Sequence, residues 1–207
     1  MKPSKIAIGD SMHEEKHTTH VHKPGHGPGY KGIGDVERRK MMDPDAILPK
    51  AGLGPGMTFV DVGCGQGFFA IPAAQIVGKK GRVYGIDIDE EALRVLSHRA
   101  SESGLDISII QGNAENTIAC EGCADIVFFG ISLHDFGEPK KVLENAWRML
   151  KPGGILADLD GKKLPGESPY VKKLGEKEAA TLLGEANFSI ASIEDISELF
   201  YHLLAKK

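Results

Sequence analysis

The sequence predicts an α/β domain built on a mostly parallel sheet with helices on both faces. The first observation is the apolar run 58–62, which is rich in β-branched and aromatic residues and suits a strand buried on both faces. The second is that short apolar runs recur at 82–87, 106–111, 124–129 and 155–159, separated by helical patterns. The third is the length of 207 residues, which suits one domain with one core.

Composition and charge indicate a protein that acts on small partners. The net charge is −4 and the sequence has no block of Lys and Arg, so we expect neither nucleic-acid nor anionic-membrane binding. No apolar run reaches the length of a membrane span and no secretory signal is present, so we expect a cytoplasmic enzyme. The three cysteines, at positions 64, 120 and 123, are too few for a disulfide framework and fit a reducing compartment.

Residues 1–34 form an arm that differs in composition from the rest of the chain. The arm is rich in Gly, Pro and Lys and contains five of the eight histidines, namely His13, His17, His20, His22 and His26. Neutral imidazoles at short spacings can converge on a metal ion, but no fixed ligand spacing is present. We therefore treat it as a polar tail without an assigned metal ligand, and a metal-collecting arm stays an alternative.

A short charged helix is predicted at 35–42, followed by a second helix. Asp43 caps that second helix, Pro44 occupies its first turn, and Gly52 ends it. The charged helix either packs against the sheet or contacts the substrate.

A glycine-rich loop, Gly63-Cys64-Gly65-Gln66-Gly67, follows the first strand. Its glycines permit backbone angles that side chains forbid, so a ligand can lie directly against the main chain. A dinucleotide-binding loop of the form G-x-G-x-x-G would require glycine at 68, where this chain has Phe68. The order present is instead D-x-G-x-G-x-G, beginning at Asp61.

This loop resembles the first motif of the class I S-adenosylmethionine (SAM)-dependent methyltransferases. A second resemblance is R-x-L-K-P-G-G at 148–154, and the E-R-R-K segment at 37–40 is similar to one in the small quinone-biosynthesis and metalloid branch. The resemblance covers 35–207, which we interpret as a methyltransferase domain following the arm. It implies a Rossmann-like seven-stranded mixed sheet with helices on both faces and an antiparallel seventh strand, formed by the motif F-Y-H-L-L at 200–204.

The resemblance also implies a cofactor site for SAM. In the family the glycine loop lies under the methionine part of the cofactor, and the acid at position 61 helps to orient it. The predicted cofactor-binding residues are Asp61, Gly63, Cys64, Gly65, Gly67, Phe68, Asp87, Ile88, Asn113, Ala114 and Gly130.

Two of these positions follow later strands. Asp87 ends the second strand, twenty residues after Gly67, where a βαβ unit returns to the same edge of the sheet and a carboxylate can accept from ribose hydroxyls. NAD-binding folds use this position too. Asn113 stands where the family usually has Asp, and its side-chain oxygen can still accept a hydrogen bond from the adenine amino group.

The middle of the chain supplies the next elements. A crossover helix is predicted at 68–77 with Pro72 near its start, and Asp89 is predicted to cap a helix at 90–103 in which His98 is a surface residue. Cys120 and Cys123 form a C-x-x-C pair before the fourth strand. We interpret them as ordinary thiols, with a metal site or a redox dithiol as alternatives.

The catalytic candidates are His134 and Asp135, which follow the fourth strand. Open α/β sheets bind ligands beyond the carboxyl ends of their strands, so this segment faces the cofactor and the acceptor. His134 can remove a proton near neutral pH, and Asp135 can orient it or act as the base. Alternatively, His134 packs beside the adenine or caps the next helix.

The C-terminal third completes the domain. An amphipathic helix is predicted at 138–150, a polar loop at 162–173 that shapes the acceptor pocket in family members, a helix at 176–186, and strands at 188–193 and 199–205. We predict a SAM-dependent methyltransferase acting on a small-molecule acceptor, with the oligomeric state open. The alternatives are a metal- or metalloid-linked methyltransferase that uses the arm with Cys120 and Cys123, and a nucleotide-binding domain without methyltransferase activity.

Overall fold

Seven strands form one sheet in the computed structural model, which describes residues 34–163 and 173–207. The strands are β1 (Thr58–Val62), β2 (Arg82–Asp87), β3 (Ser108–Gln111), β4 (Ala124–Gly130), β5 (Leu150–Gly161), β6 (Ser189–Asp195) and β7 (Phe200–Lys206). The helices are α1 (Asp35–Met41), α2 (Pro44–Lys50), α3 (Ala70–Val77), α4 (Glu90–Glu102), α5 (Pro139–Met149) and α6 (Glu176–Glu185).

The strand order is β3-β2-β1-β4-β5-β7-β6. Strands β1 to β5 are parallel, whereas β7 runs antiparallel to both β5 and β6. This arrangement confirms the predicted seven-stranded mixed sheet with an antiparallel seventh strand. The order reverses between β1 and β4, and such a reversal opens a crevice beyond the carboxyl ends of the strands.

Helices cover both faces of the sheet, as predicted. On one face, α2, α3 and α4 pack on side chains such as Phe59 and Phe128, and on the other, α5 and α6 pack on side chains such as Val127 and Tyr201. Both faces of β1 and β4 are therefore buried, which explains why these strands read as continuous apolar runs rather than as alternating patterns.

Local capping confirms the predicted helix starts. The Asp43 carboxylate accepts from the backbone N–H of Asp45, and the Asp89 carboxylate accepts from the N–H groups of Glu91 and Ala92. These bonds satisfy donors that the first helical turn leaves without partners. The cap at Asp89 sets where the chain leaves β2 and turns into α4.

The fifth strand is longer than predicted. It was expected at 155–159 and runs from Leu150 to Gly161, because pairing with β4 begins at Leu150 opposite Ala124 and resumes after an irregularity at Ile155. Pairing with β7 extends the other end to Gly161. The extension brings Asp160 into a regular strand next to the catalytic candidates.

Parts of the chain lie outside the described residues. These are residues 1–33 of the predicted arm, with its five histidines, and residues 164–172 of the predicted acceptor loop. Within 34–163 and 173–207, none of the helices is long and apolar enough to cross a membrane.

Candidate functional site

The candidate site lies at the carboxyl ends of β1, β2 and β4, where the strand order reverses. The glycine loop is fixed to the neighbouring strand, because the backbone N–H groups of Gly63 and Cys64 both donate to the Ile86 carbonyl, at 2.8 and 3.1 Å. The glycine loop and the end of β2 therefore meet at this edge.

The three glycines of the loop are required for different reasons. All have positive φ, at +78° for Gly63, +51° for Gly65 and +86° for Gly67. A Cβ at Gly63 would lie 2.6 Å from the Ser132 side chain, and one at Gly67 would lie 2.4 Å from the Leu96 side chain. A Cβ at Gly65 would meet nothing within 4 Å. Gly63 and Gly67 are thus demanded by packing, and Gly65 leaves the open surface against which a ligand can lie.

Asp87 is buried and turned towards the glycine loop. Its Oδ2 accepts from the Gly65 N–H at 2.7 Å and its Oδ1 accepts from the Asp89 N–H at 2.9 Å. Each carboxylate oxygen has a second lone pair, so ribose hydroxyls can still donate to it. The carboxylate also shapes the loop, a role that the sequence analysis did not predict.

Asp61 lies beneath the loop at the end of β1 and is completely buried. Its Oδ2 has no hydrogen-bond partner among the described residues. Burial, and then the charge of Asp87, raise the pKa of Asp61 to about 8, against smaller opposing contributions from the Ala70 N–H and Arg38. A buried carboxyl group with one unsatisfied oxygen fits a cationic ligand group, because such a group would satisfy the oxygen and stabilise the charge. The cradle therefore fits the ammonium group of the methionine part of SAM.

The charged helix α1 packs on the cofactor loop. The Arg38 guanidinium lies 3.9 Å from the centroid of the Phe68 ring, and Arg99 of α4 bonds both to Asp35 of α1 and to the Gln66 carbonyl of the loop. Of the two interpretations of this helix, packing is the one for which the structure shows contacts.

Several predicted cofactor residues have evident structural roles. Cys64 and Phe68 are buried in the core, and a Cβ at Gly130 would lie 2.5 Å from the Phe69 ring. Burial, with the nearby Asp61 and Asp87 carboxyls, raises the pKa of the Cys64 thiol far above its ordinary value. Cys64 therefore remains a thiol that packs and does not react.

The predicted adenine side is partly open. Ile88 is 53% exposed, an unusual fraction for a large apolar side chain beside a crevice. Asn113 Oδ1 accepts from the Glu115 N–H at 2.9 Å, which closes a turn, and Ala114 is buried. The Asn113 side chain thus stabilises its own loop, and the second lone pair of its Oδ1 is still able to accept a hydrogen bond from adenine.

The catalytic candidates follow a strained turn after β4. Ile131 has φ of 60°, rare for a β-branched residue, and the Ser132 hydroxyl donates to the Val62 carbonyl at 2.7 Å. His134 Nδ1 then lies 2.8 Å from Asp160 Oδ2, and His134 Nε2 lies 3.6 Å from Asp135 Oδ1. A carboxylate only accepts, so Nδ1 carries the hydrogen in the pair with Asp160. Of the two carboxyl groups, Asp160 is the one that orients the imidazole.

Three further residues near the site, Asp158, Asp160 and Tyr201, are not predicted by the sequence patterns. All three are buried, and the Tyr201 hydroxyl lies 3.0 Å from Asp158 Oδ2. The available signal was the pair of acids in the otherwise apolar segment 155–160, since charged side chains are seldom fully buried without a specific partner.

The C-x-x-C pair differs from expectation. Cys120 and Cys123 are joined by a disulfide, with their Cα atoms 5.9 Å apart, and so are not the ordinary thiols that were predicted. The short loop allows this because that separation falls within the usual disulfide range. Among the described residues no group of three or more His, Cys, Asp or Glu side chains could hold a metal ion.

The distinct roles of Gly65 and Gly67 give a paired prediction. Gly67→Ala should lower the stability of the apo protein by about 2–4 kcal/mol, because the new Cβ meets the Leu96 side chain and φ is +86°. Gly65→Ala should cost only about 1 kcal/mol but weaken SAM binding at least about tenfold, because its Cβ enters the open surface. Denaturant unfolding and calorimetric titration with SAM measure the two effects. If both variants lose the same amount of SAM affinity for each kcal/mol of stability lost, the assignment of Gly65 to the ligand is contradicted.

The doubly covered sheet, its antiparallel seventh strand and the glycine cradle with Asp61 and Asp87 together define the class I SAM-dependent methyltransferase fold. A crystal structure of a SAM-dependent methyltransferase from Aquifex aeolicus is similar, with a TM-score of 0.76 and 26% identity, covering 84% of this chain and 98% of that one. The model of the methyltransferase domain family matches residues 53–185. The chain belongs to this methyltransferase domain family.

Curated relatives include demethylmenaquinone methyltransferases. The one from Geobacillus kaustophilus is 31% identical over 124 residues, which cover 59% of this chain and 53% of the relative. The one from Listeria monocytogenes is 33% identical over 114 residues, which cover 54% of this chain and 48% of the relative. The matched segment thus spans about half the length of these relatives.

Proposed function

We propose that this protein transfers a methyl group from SAM to a small-molecule acceptor. The observation that carries the proposal is the Asp61 carboxyl group, which is completely buried beneath a glycine cradle with one oxygen lacking a partner among the described residues. Such a group is costly unless a ligand satisfies it. Membership of the methyltransferase domain family supports SAM as that ligand.

The residues that hold the cofactor are proposed from their places around the cradle. Asp61 accepts from the methionine ammonium, the main chain at Gly63 and Gly65 lies under the methionine part, and Asp87 accepts from the ribose hydroxyls. On the adenine side, the exposed Ile88 covers one face of the ring and Asn113 with Ala114 bounds its edge. The remaining predicted residues support the site by packing and do not contact the cofactor in this proposal; they are Cys64, Gly67, Phe68 and Gly130.

His134 is the proposed catalytic base. When bound, SAM supplies a methyl group on a positively charged sulfur, which is already an activated leaving group. His134 donates from Nδ1 to Asp160, so its Nε2 is the nitrogen that takes the proton from a protic acceptor. Asp135 at 3.6 Å then lies close enough to stabilise the imidazolium. A positioned base contributes roughly 10²–10⁴ in rate, and geometry supplies most of the remainder.

The acceptor is proposed to be a small ring compound with an ionisable hydroxyl group. The names of the curated relatives support a quinol as the first probe.

The chain is proposed to consist of the arm at 1–34 and the catalytic domain at 35–207, with no nucleic-acid partner. The proposed location is the cytoplasm, where the disulfide between Cys120 and Cys123 would have to persist against reduction; thiol counting in freshly lysed cells tests this.

The test is methyl transfer from SAM carrying a labelled methyl group to a demethylated naphthoquinol. Labelled quinol should form with the wild type, and Asp61→Asn and His134→Ala should each lower the rate at least about 10²-fold. His98→Ala is the matched control, since His98 is an exposed histidine on α4. Label found only on protein, or calorimetry showing binding of NAD and none of SAM, would count against the proposal. Transfer to arsenite in place of the quinol would favour the metalloid-linked alternative.

A further inference from the structure

Two carboxyl groups, those of Asp158 and Asp160, are completely buried near the carboxyl end of β5. Their alternate positions place them on the same face of the strand, the face that α5 and α6 cover. Two negative charges so close together in a buried place would repel strongly, so one of the pair is expected to keep its proton. The hydrogen bonds show which one.

Asp160 has the bonds of a carboxylate. Its Oδ2 lies 2.8 Å from His134 Nδ1, and its Oδ1 accepts from the Gly161 N–H at 2.6 Å. Each oxygen thus receives an N–H group, and bonds from N–H donors stabilise the ionised form.

Asp158 has the bonds of a carboxylic acid. The Tyr201 hydroxyl lies 3.0 Å from Asp158 Oδ2 and 2.8 Å from the Leu174 carbonyl oxygen. The hydroxyl has one hydrogen, and a backbone carbonyl can only accept. One hydrogen can form only one linear hydrogen bond, so both contacts are linear hydrogen bonds when Tyr201 donates to Leu174 and Asp158 itself donates to Tyr201.

Two further observations agree with this assignment. Asp158 Oδ1 has no partner within the described part of the chain, which is far less costly for the oxygen of a neutral acid than for that of a carboxylate. Burial first, and then the charge of Asp160, raise the pKa of Asp158 well above its ordinary value, against a smaller opposing contribution from the Tyr201 hydroxyl.

We propose that Asp158 and Asp160 form a buried pair holding one proton and one negative charge at neutral pH, with the proton on Asp158 and the charge on Asp160. Asp160 is then the positioning residue for His134. Because Asp158 is protonated, it adds no second negative charge beside the site. Its hydrogen bond to Tyr201, which also bonds to Leu174, connects β5 to the segment before α6.

The titratable groups around the pair come from three elements. His134 and Asp135 approach from the turn after β4, and Tyr201 from β7. Glu176 of α6 acts on Tyr201, whose pKa burial and the two Asp carboxyls raise far above its ordinary value. Tyr201 therefore remains a donor throughout the pH range of the experiments.

The catalytic consequence rests on the proposed function. The proton from the acceptor moves to His134 Nε2 as the bond between the acceptor and the methyl group forms and the sulfur keeps the electron pair of the broken bond. Of the buried pair, only Asp160 then adds a negative charge to that of Asp135 beside the imidazolium, so the histidine can release the proton again in the next cycle.

Infrared spectroscopy tests the protonation directly and needs no acceptor. The spectra are recorded at neutral pH in the Asp61→Asn background, so that the Asp61 carboxyl group does not contribute. A carbonyl band of a protonated acid should disappear in Asp158→Asn, and in Asp160→Asn it should remain. A band that persists in Asp158→Asn, or that is lost only in Asp160→Asn, would overturn the proposal.

Thermal unfolding controls for misfolding of the variants. Asp158→Asn should melt within about 4 °C of its parent, because the amide N–H can replace the acid O–H as donor to Tyr201. Tyr201→Phe should melt at least about 4 °C lower, because it removes both hydrogen bonds. Should Asp158→Asn fail to fold, the band in the Asp61→Asn parent decides alone: its absence at neutral pH overturns the proposal.

The positioning role is read from the pH dependence of methyl transfer to the naphthoquinol probe. Asp160→Asn should lower the rate about 10²-fold and move the acidic limb of the profile to lower pH, because the imidazolium loses its counter-charge. Asp158→Asn should keep the midpoint of the wild-type profile. An equal movement of the midpoint in both variants would refute the assignment of the charge. Absence of transfer by the wild type with the expected infrared result would reject the proposed function and leave the carboxyl pair standing.

Discussion

Replacing Asp61 by asparagine is expected to stabilise the apo protein at neutral pH and to weaken SAM binding about 10²-fold. The folded-state pKa of about 8 lies above the ordinary value of 3.8. The contribution of Asp61 to stability is therefore fully present below the ordinary value and is lost as the pH rises through about 8. At neutral pH the Asp61 carboxyl group ionises in the unfolded chain but stays mostly protonated in the folded protein. This difference lowers the free energy of unfolding by on the order of 2–4 kcal/mol. Asparagine removes this cost, and it also removes the charge that a ligand ammonium requires.

Thermal unfolding at acidic and at neutral pH measures the first effect, and calorimetry with SAM measures the second. The melting temperature of Asp61→Asn should exceed that of the wild type at neutral pH, with the gain disappearing in acid. Asp106→Asn is the control, because it removes an exposed aspartate near the opposite end of the strands. A variant that is less stable than the wild type at neutral pH, with unchanged affinity for SAM, would mean that Asp61 has a structural partner and not a ligand.

Ligand binding is also expected to release a proton from Asp61. In the apo protein the group is mostly protonated below about pH 8, whereas an ammonium beside it favours the carboxylate. The affinity should thus rise by up to about tenfold per pH unit below that value and level off above it. S-adenosylhomocysteine serves as the probe, since it has the same amino acid part as SAM.

Calorimetric titrations in two buffers of different ionisation enthalpy count the protons released. About one proton should leave per ligand bound at neutral pH, and the number should fall towards zero above about pH 9. The Asp61→Asn variant reports any titration of the ligand itself, which must be subtracted. The same pH dependence in wild type and variant would show that Asp61 does not take part in binding.

These two experiments address a general feature of the site. Asp61 destabilises the protein without SAM, and binding of SAM is expected to remove that destabilisation. Replacing Asp61 should therefore raise the stability of the apo protein and lower its affinity for SAM. Opposed effects of this kind are common where function requires a buried charge. They separate Asp61 from Asp87, whose carboxylate already receives two backbone N–H groups and contributes to the shape of the loop.

Much of the fold and the position of the glycine loop could be predicted because the signals are local. The apolar runs that became β1 and β4, the caps at Asp43 and Asp89, and the glycine order after Asp61 each depend on neighbours in the chain. The family resemblance supplied the number of strands and the antiparallel β7, which local patterns do not specify, whereas the strand order came from the structure. Strand ends were less accurate, as β5 shows, because pairing partners on both sides decide where a strand stops.

By itself the sequence determined that a strand, a glycine loop and a helix follow one another, with acids at 61 and 87, since φ angles, burial and spacing follow from adjacent residues. Only the tertiary structure decided which acids share a proton. Asp158 meets Tyr201 across 43 positions, and His134 meets Asp160 across 26. The register of β5 against β7 and the turn after β4 bring these groups together, and neither can be read from residues near them in the chain. In a buried place, a shift of one residue in that register would turn these side chains to the opposite face of the sheet and leave the acids without their partners.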